Sequence, residues 1–289
     1  MEFNGAMNLE YWMSHSFDWV AYGTLALAPV VFALLFFIKA PYGRHIRRGW
    51  GPVLDNRLGW FLMESPAVLV FGGILIFFAE LNWTTAIFMM LWQLHYCHRA
   101  FVYPWTLKKG KKMPWLILVM AVVFNLSNGY LNAWSIASHS DRYSELWLTS
   151  PQFLIGVLVF FSGMALNKIS DKQLARLGRS KDGSGAYQIP YGFAFRWVSC
   201  PNYLGEIVFW TGNWLIGLPF YTSTLRWIAA LIGLVCIVLI MMGSTKRLES
   251  EQSQRYGNLP EYQEYLRTVP VLFPFIPLYT LKNIRVYLE

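Results

Sequence analysis

From about residue 20 to residue 245 the chain alternates long apolar stretches with short turns that are basic or polar. Seven stretches, at 20–38, 61–79, 84–104, 114–135, 152–169, 203–221 and 224–245, are long enough, or nearly so, to cross a hydrocarbon layer of about 30 Å as helices. The second and fifth are short and are expected to sit tilted or shielded by their neighbours. No alternation of strand and helix signals accompanies them. The pattern therefore predicts an all-α polytopic membrane protein with seven transmembrane helices, organised as one domain over residues 1–289. Residues 1–19 form its N-terminal segment and 246–289 its tail. The tail reads as an amphipathic interfacial helix followed by a Pro-punctuated return to the membrane.

Composition agrees with this picture, since 55% of residues are hydrophobic and only 14% charged, far from the balance of a soluble domain. A net charge of +8 raises the possibility of a nucleic-acid partner, but the location of the charge argues otherwise. Of the 24 Lys and Arg, 21 fall in four connections, 39–57, 105–113, 168–201 and 246–289, that a seven-span path puts on one side. Arg142 and Arg226 lie on the other side, and Arg99 is inside a span. This positive-inside pattern places the N-terminus outside and the C-terminus in the cytoplasm, of either a bacterial inner membrane or an endoplasmic reticulum. Met1–Trp19 carries Glu2, Glu10 and Asp18 and no Lys or Arg, so it lacks the n-region of a cleavable signal and is expected to stay on the chain. Cys97 and Cys236 fall in spans and Cys200 in a loop, which offers no disulfide framework and no metal-type spacing. No protein partner can be inferred.

The third stretch carries the candidate chemistry. Its segment Leu94–Pro104 places His95, Tyr96, His98, Arg99 and Tyr103 where a membrane helix usually has Leu or Val. Helical spacing puts Tyr96, Arg99 and Tyr103 on one face. Ionisable groups at such positions are costly unless they meet a partner or a cavity. The second helix rises from the cytoplasm and the third returns to it, so Glu64 and Tyr96 reach a similar depth and are expected to share a pocket with Arg99. Pro66 weakens the backbone ladder nearby. Asn125, Asn128 and Asn132 form a polar stripe on the fourth helix, for which helix-to-helix hydrogen bonding and a ligand-facing role stand as equal readings. At the cytoplasmic ends of the fifth and sixth helices, Asn167 and Asp171 share one face, as do Asn202 and Glu206, with Arg176, Arg179 and Lys181 in the connection between them. Amides and carboxylates suit ribose hydroxyls, and Arg and Lys suit phosphates. The chain has no glycine-rich dinucleotide fingerprint after a strand and no P-loop, so a nucleotide would be held by helices and loops. The basic loops at 39–57 and 105–113 are also suited to lipid phosphates.

Six strings in order, WFLMESP, LHYCHRAFVYP, NGYL, GMALNKISD, YQIPYG and PNYLGEIVFW, resemble the steroid 5-alpha-reductases, with the likeness running from about Pro41 to Gly217. The resemblance implies a seven-helix membrane reductase that uses NADPH to reduce the C4=C5 double bond of 3-oxo-4-ene steroids such as testosterone and progesterone. The apolar substrate would enter from the lipid. Glu64 and Tyr96 would hydrogen-bond the 3-keto oxygen, with Arg99 near them beside the nicotinamide. Asn167, Asp171, Tyr187, Asn202 and Glu206 would line the cofactor pocket. The loop LARLGRSKDGSG and the tail depart from the family pattern, which leaves Arg176 or Arg179 for the phosphates, with Arg247 and Tyr256, and also Tyr262 and Arg267, as tail candidates. The residue types suit this reaction. Hydride delivery to an enone builds charge on the carbonyl oxygen, and donors aimed at that oxygen stabilise it. Tyr96 can donate directly; Glu64 can do so only when protonated, a form favoured at low dielectric. The rival readings are a related reductase of enoyl thioesters, polyprenols or sterol C14 double bonds, a methyltransferase of the isoprenylcysteine class using S-adenosylmethionine, and a non-catalytic sterol-binding membrane protein.

Overall fold

The computed structural model describes residues 2–37, 51–107, 109–177, 189–218, scattered positions between 227 and 253, and 257–274. Arg179, Lys181, Tyr187, Arg247 and Tyr256, and half of the stretch 224–245, lie outside the described residues. The chain groups into two compact units, Met1–Ser150 and Pro151–Glu289.

The first unit begins with α1 (Glu2–Phe37), a single helix that runs through both the predicted N-terminal segment and the predicted first span. Gly51, which has φ +79°, stands just ahead of β1 (Val53–Asp55), and α2 (Asn56–Phe78) follows. Asp55 caps α2 by accepting from the backbone N–H of Arg57 at 2.9 Å and of Leu58 at 3.2 Å, which satisfies two of the donors a helix start leaves open. The chain returns through α3 (Trp83–Cys97), whose start is fixed by a capping box between Asn82 and Thr85. A π-helical turn, His98–Val102, follows, and then the short α4 (Tyr103–Thr106). After β2 (Lys112–Pro114), α5 (Trp115–Ala137) runs back along α2, and two 3-10 turns at Ser140–Arg142 and Glu145–Thr149 close the unit.

The described residues are mostly helical, as expected, and they include one feature that the all-α expectation did not contain. β1 and β2 pair antiparallel, Val53 with Pro114, Leu54 with Met113 and Asp55 with Lys112. The ribbon is continued by backbone bonds from Asn56 to Lys111 and from Trp115 to Pro52, both 2.9 Å, so it clamps the starts of α2 and α5 together. Met113 is buried under it against Met63 and Leu118. At this end Arg57, expected to face headgroups or a ligand, turns its guanidinium onto the carbonyl of Leu107 instead. At the other end the α2–α3 turn is tied down by Ser140, which accepts from the Glu80 N–H at 2.8 Å, and by Asn82, which donates to the Ser140 carbonyl at 3.1 Å. Tyr130 on α5 meets Ser16 of α1 at 2.8 Å.

The second unit is built on α6 (Pro151–Leu177) and α7 (Pro201–Ile216), joined to a 3-10 turn at Phe193–Arg196 and the tail helix α8 (Pro260–Thr268). A Cβ added at Gly163 would lie 2.2 Å from the Phe209 nitrogen, and one added at Gly212 would lie 2.3 Å from the Phe160 nitrogen. The two helices therefore pack backbone to backbone along a stripe of small residues, the way membrane helices gain contact without a hydrophobic driving force. The tail returns to this unit: Ser199 and Cys200 donate backbone bonds to Pro270 and Val271, and Val271 and Leu272 are fully buried beside Ile207. On the tail helix Tyr262 and Tyr265 are buried.

Three described helices, Asn56–Phe78, Trp115–Ala137 and Pro151–Leu174, are long and apolar enough to cross a membrane. α3 and α7 are too short to count alone, α3 because the π-turn interrupts its helix before Pro104.

Candidate active site

In the first unit the structure brings Glu64 and Arg99 into direct contact. Arg99 donates from Nη2 at 2.6 Å and from Nε at 3.1 Å, both to Oε1 of Glu64. The carboxylate is 4% exposed and the guanidinium side chain 31%, so the pair sits mostly out of solvent at the edge of α2. The Arg99 cation also lies over the Trp60 ring, 5.4 Å from its centroid, and Trp60 meets Tyr103 edge to face at 4.9 Å. A cation held by one carboxylate oxygen and one aromatic face is anchored from two directions.

Tyr96 is also 4% exposed, but it points elsewhere. Its ring stacks on Trp92 at 4.6 Å, and Trp92 stacks on Phe71 at 4.2 Å while its indole N–H donates to the Ala67 carbonyl at 3.0 Å. The phenol oxygen accepts a hydrogen bond of 2.7 Å from Nδ2 of Asn128 on α5. The single face predicted for Tyr96, Arg99 and Tyr103 is therefore divided. Arg99 and Tyr103 meet α2, and Tyr96 meets α5. The cause is the π-turn between them, in which the Tyr103 N–H bonds five residues back to the His98 carbonyl. Pro104 has no N–H to give and its ring crowds the carbonyl four residues earlier, a conflict that wider winding relieves.

The asparagine stripe of α5 makes hydrogen bonds both to neighbouring helices and along its own helix. Asn125 donates to the Met63 carbonyl of α2 at 2.6 Å, and Asn132 donates to the carbonyl and to Oδ1 of Asn128. Sequence spacing identified the stripe but could not say which helix it faces, so Asn128 as the partner of Tyr96, and Trp60 as the platform for Arg99, were not expected from it.

In the second unit four predicted residues form one polar cluster. Asn167 on α6 donates to the Asn202 carbonyl at 3.1 Å and to Oε1 of Glu206 at 3.2 Å, and Asn202 donates to Oδ1 of Asp171 at 3.1 Å. Gly205 permits this, because a Cβ there would lie 2.5 Å from the Asn167 nitrogen. The pairs at i and i+4 read from the sequence are thus the two halves of a single hydrogen-bonded cluster at the start of α7. Arg176 is exposed at the end of α6. Of the tail candidates, Tyr262 is buried and Arg267 pairs with Glu264 one turn away on α8. A separate open cleft of about 350 Å³ lies between Tyr191, Arg196 and α8, and none of the site residues expected from the sequence lines it. Among the described residues no group of three or more His, Cys, Asp and Glu is arranged to hold a metal ion.

Comparison with known proteins supplies the family. The model of the 3-oxo-5-alpha-steroid 4-dehydrogenase family matches residues 111–276. The chain is 38% identical over 214 residues to steroid 5-alpha-reductase DET2 of Arabidopsis thaliana, covering 68% of this chain and 79% of the relative. It is 34% identical over 200 residues to 3-oxo-5-alpha-steroid 4-dehydrogenase 1 of Bos taurus, with 68% and 77% covered, and 35% identical over 195 residues to the type 2 protein of Mus musculus, with 66% and 75% covered. On matches of this extent the chain belongs to the 3-oxo-5-alpha-steroid 4-dehydrogenase family, the steroid 5-alpha-reductases, and is an oxidoreductase of steroid metabolism.

Proposed function

We propose that the protein reduces the C4=C5 double bond of 3-oxo-4-ene steroids, testosterone and progesterone among them, to the 5-alpha products at the expense of NADPH. The observation that carries this reading is the burial, among apolar helices, of a phenol and a carboxylate that are each fixed by a named polar partner. A general lipid-binding helix has no use for such groups at that depth.

The donor set of the second unit fits the cofactor. Asn167, Asn202, Asp171 and Glu206 offer amide donors and carboxylate acceptors of the kind that ribose hydroxyls and a carboxamide require, and Arg176 suits a phosphate. When bound, the reduced dinucleotide supplies the hydride that saturates C5. As that bond forms, the electron pair of the alkene moves toward the 3-keto oxygen, and a proton taken up at C4 restores the ketone. The protein's work is to stabilise the charge on that oxygen. Tyr96 donates its hydroxyl proton to it. Both Arg99 bonds fall on Oε1 of Glu64, so Oε2 is the atom this reading turns toward the substrate. Arg99 adds positive charge beside the developing enolate.

The same reading includes the finer topology: one domain, seven spans, the N-terminus outside and the basic connections in the cytoplasm. It is supported by the distribution of Lys and Arg and by the three helices fit to span. The test is incubation of purified protein with NADPH and a panel of 4-ene-3-ketones. Cofactor oxidation with formation of the 5-alpha product is expected; activity only on enoyl thioesters or polyprenols would transfer the reading to a related reductase.

A further inference from the structure

The asparagine pair on α5 has a hydrogen-bond polarity that can be worked out from one fixed point. Asn132 approaches the backbone carbonyl of Asn128 at 2.8 Å, and a carbonyl can only accept, so the group facing it is the Asn132 NH₂. That same NH₂ lies 3.0 Å from the Asn128 side chain, which must therefore present its own oxygen there. With Oδ1 committed to Asn132, the Asn128 NH₂ is the end that faces Tyr96, at 2.7 Å. The assignment of the amide is thus dictated by the backbone and not by convention.

The consequence falls on the phenol. Its oxygen is used as an acceptor, so its single proton must point to some other acceptor. The ring has little freedom to do otherwise, since Trp92 stacks on it and Trp92 is itself held between Phe71 and the Ala67 carbonyl. α5 is held against α2 by Asn125, which donates to the Met63 carbonyl at 2.6 Å.

We propose that Asn128, oriented by Asn132, is a positioning residue that aims the Tyr96 proton at the substrate's carbonyl oxygen. This rests on the reading of Tyr96 as the ketone's donor and adds what directs it. It also singles out the direction of the bond as the functional variable, because an acceptor in place of the amide would capture the phenol's proton.

The experiment is a cycle in the full-length protein, with kcat and KM measured for NADPH and testosterone. Asn128→Asp replaces the donor with an acceptor of the same shape and is expected to lower kcat by about tenfold or more, with KM changed little, on the scale of one hydrogen bond in the transition state. Asn128→Ser, too short to reach the phenol and uncharged, should lower kcat in the same direction and covers the case in which the carboxylate variant does not fold. In a Tyr96→Phe background neither substitution should have any further effect. Equal losses with and without the Tyr96 hydroxyl would overturn the positioning role, since they would mark Asn128 as structural. Full turnover in Asn128→Asp alone would overturn only this proposal, whereas full turnover in Tyr96→Phe would overturn the reading of Tyr96 and this proposal with it.

Discussion

At the scale of residues, the two buried polar groups of the first unit differ in what holds them, and the difference sets their predicted behaviour. Tyr96→Phe keeps the ring on Trp92 and removes only the hydroxyl, so kcat is expected to fall by about 10²–10³ with a smaller change in KM, measured by steady-state kinetics. Glu64 and Arg99 are energetically coupled. A double-mutant cycle of Glu64→Gln and Arg99→Gln, followed by thermal unfolding in detergent, should give a coupling of about 1–3 kcal/mol. That is more than an exposed pair and less than a fully buried one, because Arg99 remains about a third exposed. Glu64, Tyr96 and Arg99 were legible in the sequence because an ionisable residue in an apolar run is conspicuous. Asn128 was legible only as a member of a stripe, since helical spacing reports which side chains share a face and says nothing about what that face meets.

The elements carry predictions of their own. Gly163→Ala puts a methyl against the Phe209 backbone and should destabilise the protein by about 1–3 kcal/mol, while Gly73→Ala on α2, where nothing lies within 4 Å, should be neutral or stabilising by up to about 1 kcal/mol. Thermal unfolding of the two variants side by side checks this. In the tail, Tyr265 donates to the Phe195 carbonyl at 2.8 Å, and burial, with Cys200, Tyr191 and Tyr262 nearby, pushes its phenol above the ordinary value of 10.0. A raised folded value means that the unfolded chain loses this proton first. The stability it contributes is complete below pH 10 and is lost as pH rises beyond that, so Tyr265→Phe should flatten the alkaline fall in unfolding temperature. The helices themselves were legible from apolar run length. The π-turn was not, because Pro104 reads in sequence as a helix end, and only packing against α2 shows that the chain widens its winding and continues. The β1–β2 ribbon was missed for a similar reason: three residues per strand carry too little pattern, and KKGKKMP reads first as charge.

For the whole molecule, the ribbon and the Ser140–Arg142 turn lie at opposite ends of the α2 and α5 pair, so the proposed topology assigns them to opposite sides of the membrane. Single cysteines at the exposed positions Lys111 and Asp141, in a background lacking the native three, should be labelled by an impermeant thiol reagent from the cytoplasmic and the outer side respectively. Labelling of both from one side would contradict the orientation. Legible at this scale was the α6 and α7 cluster, where two i, i+4 pairs on different helices form one hydrogen-bonded arrangement. The measurement that bears most directly on the whole account is turnover of purified protein in lipid nanodiscs with NADPH and testosterone, following cofactor oxidation and the product together. The account predicts one NADPH oxidised for each 5-alpha-reduced steroid formed, with the rate falling about a hundredfold in Tyr96→Phe. Absence of NADPH oxidation with any 4-ene-3-ketone, or an undiminished rate without the Tyr96 hydroxyl, would contradict it.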